Sequence, residues 1–263
     1  MKRVNLGCGS RHHPDWINID IAARDPQVIA HDLSRGIPLA DASCDVVYHS
    51  HVLEHIRRDD ALPFLRECFR VLKPGGILRV ATPDLERICR LYLEKLNAAA
   101  NGDRAAANDY DWMMLELYDQ TVREKPGGHM LDYLRQNPLP NEAFVFERIG
   151  GEGRELVSAL KKSAGTAQRP PKLRERLLRL FFGENFARAA RIGRYRLTGE
   201  VHQWIYDRFS LARLLRDAGF QNPVPRAAHE SAISNWPSFN LDTQPDGSVF
   251  KPDSIFMEAT KSA

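Results

Sequence analysis

The sequence predicts an α/β protein with a doubly wound, mostly parallel sheet of seven strands and a helical insertion. Three observations predict it. Short β-branched apolar runs alternate with stretches whose apolar residues recur at helical spacing. The first run enters a Gly-x-Gly turn, Val4-Asn5-Leu6-Gly7-Cys8-Gly9-Ser10. Acidic or imidazole side chains follow several of the runs: Asp20, Asp32 and His49-Ser50-His51. Sheets of this kind bind ligands beyond the carboxyl ends of their strands, so these residues converge on one edge.

The first strand ends in Gly7 and Gly9, which can adopt positive φ and let a ligand approach the main chain. Their amides can face an anionic group, although an ordinary strand-to-loop turn has the same signature. The third glycine of the dinucleotide fingerprint is absent, and Arg11-His12-His13-Pro14 stands where a helix would start. The link to the second run is shorter than the ~10–12 residues of a full crossover. The first helix must be reduced to a turn or lost. The second run, Trp16-Ile17-Asn18-Ile19, closes on Asp20, whose carboxylate can accept from ribose hydroxyls.

Gln27-Val28-Ile29-Ala30 leads a third strand into His31-Asp32-Leu33, and Asp45-Val46-Val47-Tyr48 reads as a buried fourth. Asp60 is expected to cap a helix with Leu62, Leu65, Phe69 and Leu72 on one face, and Lys73-Pro74-Gly75-Gly76 to stop it. Residues 77–81 form the fifth strand, followed by a helix carrying Leu85, Ile88, Tyr92 and Leu96. From 98 to 199 the chain is helix-prone, charged and broken by Gly and Pro pairs, which reads as an insertion in a core made of 1–97 and 200–263. Ser210 is expected to cap the next helix and Gly219 to end it. Val224 and residues 254–259 mark the last two strands.

The chain has 263 residues, 43% hydrophobic and 27% charged, the balance of a soluble globular protein. No apolar run approaches the ~18 residues of a membrane span, and the start runs straight into a strand without a signal-peptide pattern. Both point to the cytoplasm. Cys8, Cys44, Cys68 and Cys89 lie far apart and show no Cys-x-x-Cys spacing, which reads as reduced thiols and not as a zinc site or disulfide frame. Net charge is +3, yet residues 161–196 hold eleven Lys or Arg against two Glu, leaving the remainder acidic.

At this point the chain resembles the class I S-adenosylmethionine-dependent methyltransferases, type 11-like, similar to members acting on glycans or small molecules. The residues that carry the resemblance are Asn5-Leu6-Gly7-Cys8-Gly9, Asn18-Ile19-Asp20, His31-Asp32-Leu33, Asp45-Val46-Val47, His51-Val52-Leu53-Glu54-His55 and Leu72-Lys73-Pro74-Gly75-Gly76. It covers roughly 1–97 and 200–260 and implies a Rossmann-like methyltransferase fold. It implies that Gly7 and Gly9, in the loop with Asn5 and Cys8, hold the methionine part of S-adenosyl-L-methionine. It further implies that Asp20 binds the ribose hydroxyls, that Asp32 and Leu33 meet the adenine, and that His49 lies beside the methionine moiety. Plain strand-end carboxylates are the alternative reading of Asp20 and Asp32.

Methyl transfer needs acceptor, methyl and sulfur in line, and positioning supplies most of the catalysis. A hydroxyl acceptor also has to lose a proton, for which histidine is the natural base. The candidates are His51, after the fourth strand, and His202, in Glu200-Val201-His202-Gln203-Trp204-Ile205-Tyr206-Asp207; His129 is a third. Each also reads as a solvated or core-satisfied histidine. His51, Glu54 and His55 have the i, i+3, i+4 spacing of a divalent-metal site, but capping and packing at a helix start explain them without a metal.

In the basic stretch, Leu173, Leu177, Leu180 and Phe181 form an apolar stripe among arginines. A lid, a membrane-surface helix and a nucleic-acid patch all fit, and no aromatic-interleaved RNA module accompanies the charge. The sequence therefore points to an O-methyltransferase acting on a small-molecule or glycan acceptor, lipid-linked acceptors included. The rivals are an RNA methyltransferase and a non-catalytic methyltransferase-fold binding protein.

Overall fold

The computed structural model describes residues 1–162 and 173–262, without the side chains of 173–178. Leu173 and Leu177 of the expected stripe, with Arg174 and Arg176, therefore have side chains outside the described residues. The chain divides into two compact units. One comprises Met1–Arg90, Glu147–Glu152 and Gln203–Ala263, the other Leu91–Phe146 and Gly153–His202.

The first unit is built on a seven-stranded sheet of order β3-β2-β1-β4-β5-β7-β6. Its strands are β1 (Arg3–Leu6), β2 (Ile17–Asp20), β3 (Val28–Ala30), β4 (Cys44–Ser50), β5 (Leu72–Pro83), β6 (Gln221–Arg226) and β7 (Ser254–Thr260). β1 to β5 are mutually parallel, and β7 runs antiparallel to both β5 and β6. This is the mostly parallel, doubly wound arrangement the sequence predicts. The first crossover helix is absent, as the short link requires: the amides of Gly7 and Cys8 both donate to Ile19 O, and residues 7–16 run as turns into β2.

Alternation along the strands sorts side chains onto two faces. On one, Val4, Leu6, Val47 and Leu78 pack with Leu65, Cys68 and Val71 of α1 (Arg58–Val71) and Leu211 and Leu215 of α8 (Arg208–Asp217). On the other, Val46 and Tyr48 meet Trp16, Ile233, Trp236 and Phe239. The rings of Trp236 and Phe239 come from the segment between β6 and β7, which no periodic pattern marks. Arg79 of β5 is fully buried on this face. It donates to Asp242 Oδ2 and Glu258 Oε1, each at 2.8 Å, and stacks 4.4 Å from the Trp236 ring centroid. Tyr48 completes the set by donating to Asp242 Oδ1 at 2.5 Å.

Three local expectations change. Arg57, not Asp60, precedes α1, and Asp60 sits inside its first turn. There a carboxylate still favours the helix N-terminus through the dipole, which explains its presence without a cap. Asp207, not Ser210, is the N-cap of α8; it accepts from the amides of Phe209 and Ser210, and the Ser210 hydroxyl returns a bond to the cap backbone. Such reciprocal pairing satisfies two helix-end donors, so a serine three residues inside the helix reads from sequence like a cap. Residues 73–76 follow the end of α1 at Val71 and lie within the span of β5 as a register shift opposite β4, not as a free turn.

The second unit is helical. It contains most of α2 (Leu85–Ala100), then α3 (Arg104–Met114), α4 (Gln120–Val122), α5 (Gly128–Leu134), the outer parts of α6 (Glu142–Lys162), and α7 (Leu173–Arg196). Asp119 organises its centre, accepting from Arg123 at 3.0 Å and from the His129 amide at 2.7 Å. No helix among the described residues is long and apolar enough to cross a membrane.

Candidate active site

The register of the central strands fixes what lies level at the carboxyl edge. Leu6 pairs with Ile19 on one side and His49 on the other. Gly7, Asp20 and Ser50 follow at the same height, across about 10 Å at the usual ~4.8 Å strand spacing. Gly7 has φ 62, and a Cβ there would come within 2.4 Å of Val52 Cγ2. Only glycine fits, on both counts.

Asp20 is half-buried, with both carboxylate oxygens pre-oriented: Oδ2 accepts from the Gly9 amide and Oδ1 from the Ala22 amide, each at 2.9 Å. A carboxylate has about four acceptor positions, so each oxygen retains capacity for a vicinal diol. The amides of Gly7, Cys8 and Gly9 are all engaged within the chain. What the turn offers a ligand is therefore shape and the oriented carboxylate.

Asn5 is buried and donates to Arg11 O at 2.9 Å, bracing the loop from behind. Cys8 is buried too, and desolvation pushes its thiol up to about 11. Asp32 is exposed and caps the turn Leu33–Arg35; the Ser34 hydroxyl and amide hold its carboxyl below the usual range. Leu33 is half-buried beside it against the main core. His49 is fully enclosed, its ring edge-on to Phe64 at 5.3 Å, and burial lowers its pKa to about 4. Its ring is neutral at ordinary pH and stands one residue before Ser50, level with Leu6.

Past β4 the chain does something the sequence did not announce. His51 sits at φ 54, an uncommon conformation for a non-glycine residue and one that clusters at functional sites. Its Nδ1 lies 3.0 Å from Glu54 Oε1, and its Nε2 lies 2.8 Å from Ser254 Oγ at the start of β7. Glu54 is itself fully buried and accepts from Thr82 Oγ1 at 3.1 Å. Both ring nitrogens of His51 thus have a polar neighbour, the Glu54 carboxylate at Nδ1 and the Ser254 hydroxyl at Nε2. The sequence spacing reads Glu54 as a metal candidate on one helix face with His51, or as a residue that caps and packs a helix start. In the structure the short helix is Leu53–His55, and His51 precedes it in extended-to-left-handed backbone. Ser254 was missed altogether, because 203 residues separate it from His51.

His202 lies in the second unit, buried at 5% exposure, with its amide donating to Gln120 O at 3.0 Å. His129 is exposed there, with Nδ1 3.7 Å from Asp132.

Residues 18–80 match the family model described as a methyltransferase domain. A probable S-adenosylmethionine-dependent methyltransferase of Mycolicibacterium smegmatis is 40% identical over 99 residues, covering 31% of this chain and 37% of the relative. Ribosomal RNA-processing protein 8 of Rattus norvegicus is 37% identical over 83 residues, covering 30% of this chain and 17% of the relative. The chain thus spans about a third or less of the length of these relatives. Among solved structures, an S-adenosylmethionine-dependent methyltransferase from Methanosarcina mazei is 16% identical, with 99% of this chain and 92% of that chain covered and a TM-score of 0.40. The matched segment, residues 18–80, runs from β2 through most of β5 and is similar to a methyltransferase domain.

Proposed function

We propose that the protein transfers a methyl group from S-adenosyl-L-methionine to a hydroxyl of a small-molecule or glycan acceptor. The observation that carries this reading is His51, held between Glu54 and Ser254 at the edge where Gly7 and Asp20 also stand. The fit of the cofactor rests on Asp20, whose two oriented oxygens suit a ribose diol, and on the Cβ-free approach at Gly9. Asp32 and Leu33, next along the edge, suit an adenine amino group and ring face. When bound, the cofactor supplies an activated methyl on a sulfonium. Everything else falls to the chain: Gly7 and Asp20 fix the position, and His51 Nε2 takes the acceptor hydroxyl proton while Glu54 stabilises the resulting imidazolium.

We assign the base to His51, whose two ring nitrogens face a buried acid and a hydroxyl at the sheet edge. The test pairs calorimetry with a screen of hydroxylated acceptors that reads S-adenosylhomocysteine release. Cofactor binding weakened in Asp20→Ala and turnover lost in His51→Ala support the reading. Cofactor binding without turnover on any acceptor would favour the binding-protein alternative, and turnover on RNA alone the RNA alternative.

A further inference from the structure

The second unit carries an apolar tip that nothing in the methyltransferase reading uses. α7 breaks at Gly183, where φ is 81 and ψ is 169. Just before the break Leu180, Phe181 and Phe182 are 77%, 72% and 63% exposed, and just after it Phe186 is 51% exposed. The rings of Phe182 and Phe186 lie 4.9 Å apart, so the group is one cluster across the break. Ala187 and Tyr195 of the same helix are buried, which shows that α7 has an inward side and that the phenylalanines are not on it.

Charge frames the tip. Between 179 and 196 the chain has five arginines and one acid, Glu184. Arg188, Arg191 and Arg194 are exposed. The pairs that involve this stretch, Arg179 with Glu184 at 3.2 Å and Arg188 with Glu124 at 3.3 Å, are exposed and weak enough to exchange for other anions.

Large apolar side chains grouped in the open mark an interaction site. Residues 180–182 are consecutive, so they cannot share one helical face. Bunched at a break, they suit insertion as a tip and not an in-plane helix. A second copy of the chain would bring arginine against arginine across a two-fold axis. Single-stranded RNA would use the charges, but of the three rings Phe182 and Phe186 already pack on each other, which leaves Phe181 alone to stack on. An anionic bilayer takes both features together: apolar groups enter the headgroup–acyl boundary, and arginines meet lipid phosphates.

We propose that this tip is a docking surface for an anionic lipid bilayer, with Phe181, Phe182 and Phe186 inserted and Arg188, Arg191 and Arg194 at the headgroups. The inference is independent of methyl transfer, and so is its test. The full chain is sedimented with vesicles of equimolar phosphatidylglycerol and phosphatidylcholine, and with phosphatidylcholine alone. Binding to the anionic vesicles, weakening as salt rises, is expected. Phe181→Ser/Phe182→Ser and Arg191→Glu/Arg194→Glu should each weaken it at least tenfold with unchanged melting temperature, since all four side chains are exposed. The proposal is overturned by failure of the wild type to bind, by equal binding to the neutral vesicles, or by equal binding of both variants. Binding to single-stranded RNA without vesicle binding, or self-association lost in the phenylalanine variant without vesicle binding, also overturns it.

Discussion

His51 Nδ1 lies 3.0 Å from the buried Glu54 Oε1, and in the proposed mechanism this contact leaves Nε2 to act as the base. Replacing His51 by alanine removes a positioned base, a loss of about 10²–10⁴-fold in kcat. Glu54→Gln keeps the shape but removes the charge that holds the tautomer. It should lower kcat by at least roughly tenfold and alter the pH–rate profile while leaving cofactor affinity unchanged. Steady-state kinetics with calorimetry in parallel check both; a Glu54→Gln enzyme with a wild-type pH profile would count against the orienting role.

Asp20→Ala should weaken cofactor binding by about 1–3 kcal/mol, the worth of hydrogen bonds to a charged acceptor. The same change releases the Gly9 amide, which Asp20 holds at 2.9 Å. Asp20→Asn keeps one acceptor and should fall between. Calorimetric titration with S-adenosylhomocysteine reads the series, and an unchanged dissociation constant in Asp20→Ala would remove this carboxylate from the site.

His49 makes stability depend on pH. Its folded pKa of about 4 lies below the ordinary value of 6.5 because burial disfavours the cation. Between those values the unfolded chain binds a proton that the folded chain refuses, so stability falls as pH drops from about 6.5 to about 4. The full effect is on the order of 3 kcal/mol. Urea melts across that window should show the slope in the wild type and a shallower one in His49→Gln.

Arg79→Ala should destabilise the first unit by about 3–5 kcal/mol, since it strands two buried carboxylates. Asp242 shows the strain most clearly: burial raises its pKa even with Arg79 alongside. Arg79→Ala together with Asp242→Ala and Glu258→Gln should recover part of the loss, measured by thermal melting. A single variant as stable as the wild type would show that the network is not what holds the segment after β6 in place.

Much of this was legible beforehand, for identifiable reasons. β4 and β7 are β-branched or apolar runs bounded by turns, and a run of that kind has few other fates. The loss of the first helix followed from chain length alone. The polar pairings were hidden because they join residues far apart: Arg79 to Asp242 spans 163 positions. No local pattern marks an arginine that will be buried in a central strand. Trp236 and Phe239 were hidden for the opposite reason, since they sit in a single 3₁₀ turn too short to show a period.

The long reach from Arg79 to Asp242 and Glu258 bears on how the chain is made. A ribosome delivers β1 to β5 well before the segment that covers Trp16 and Tyr48. Until residues 233–258 emerge, one side of the nascent sheet lacks its cover and a guanidinium lacks its counterions. Completion of that face of the sheet is thus deferred until long after β5 is made. The incomplete chain is the form in which this protein is most exposed to aggregation and most in need of a chaperone.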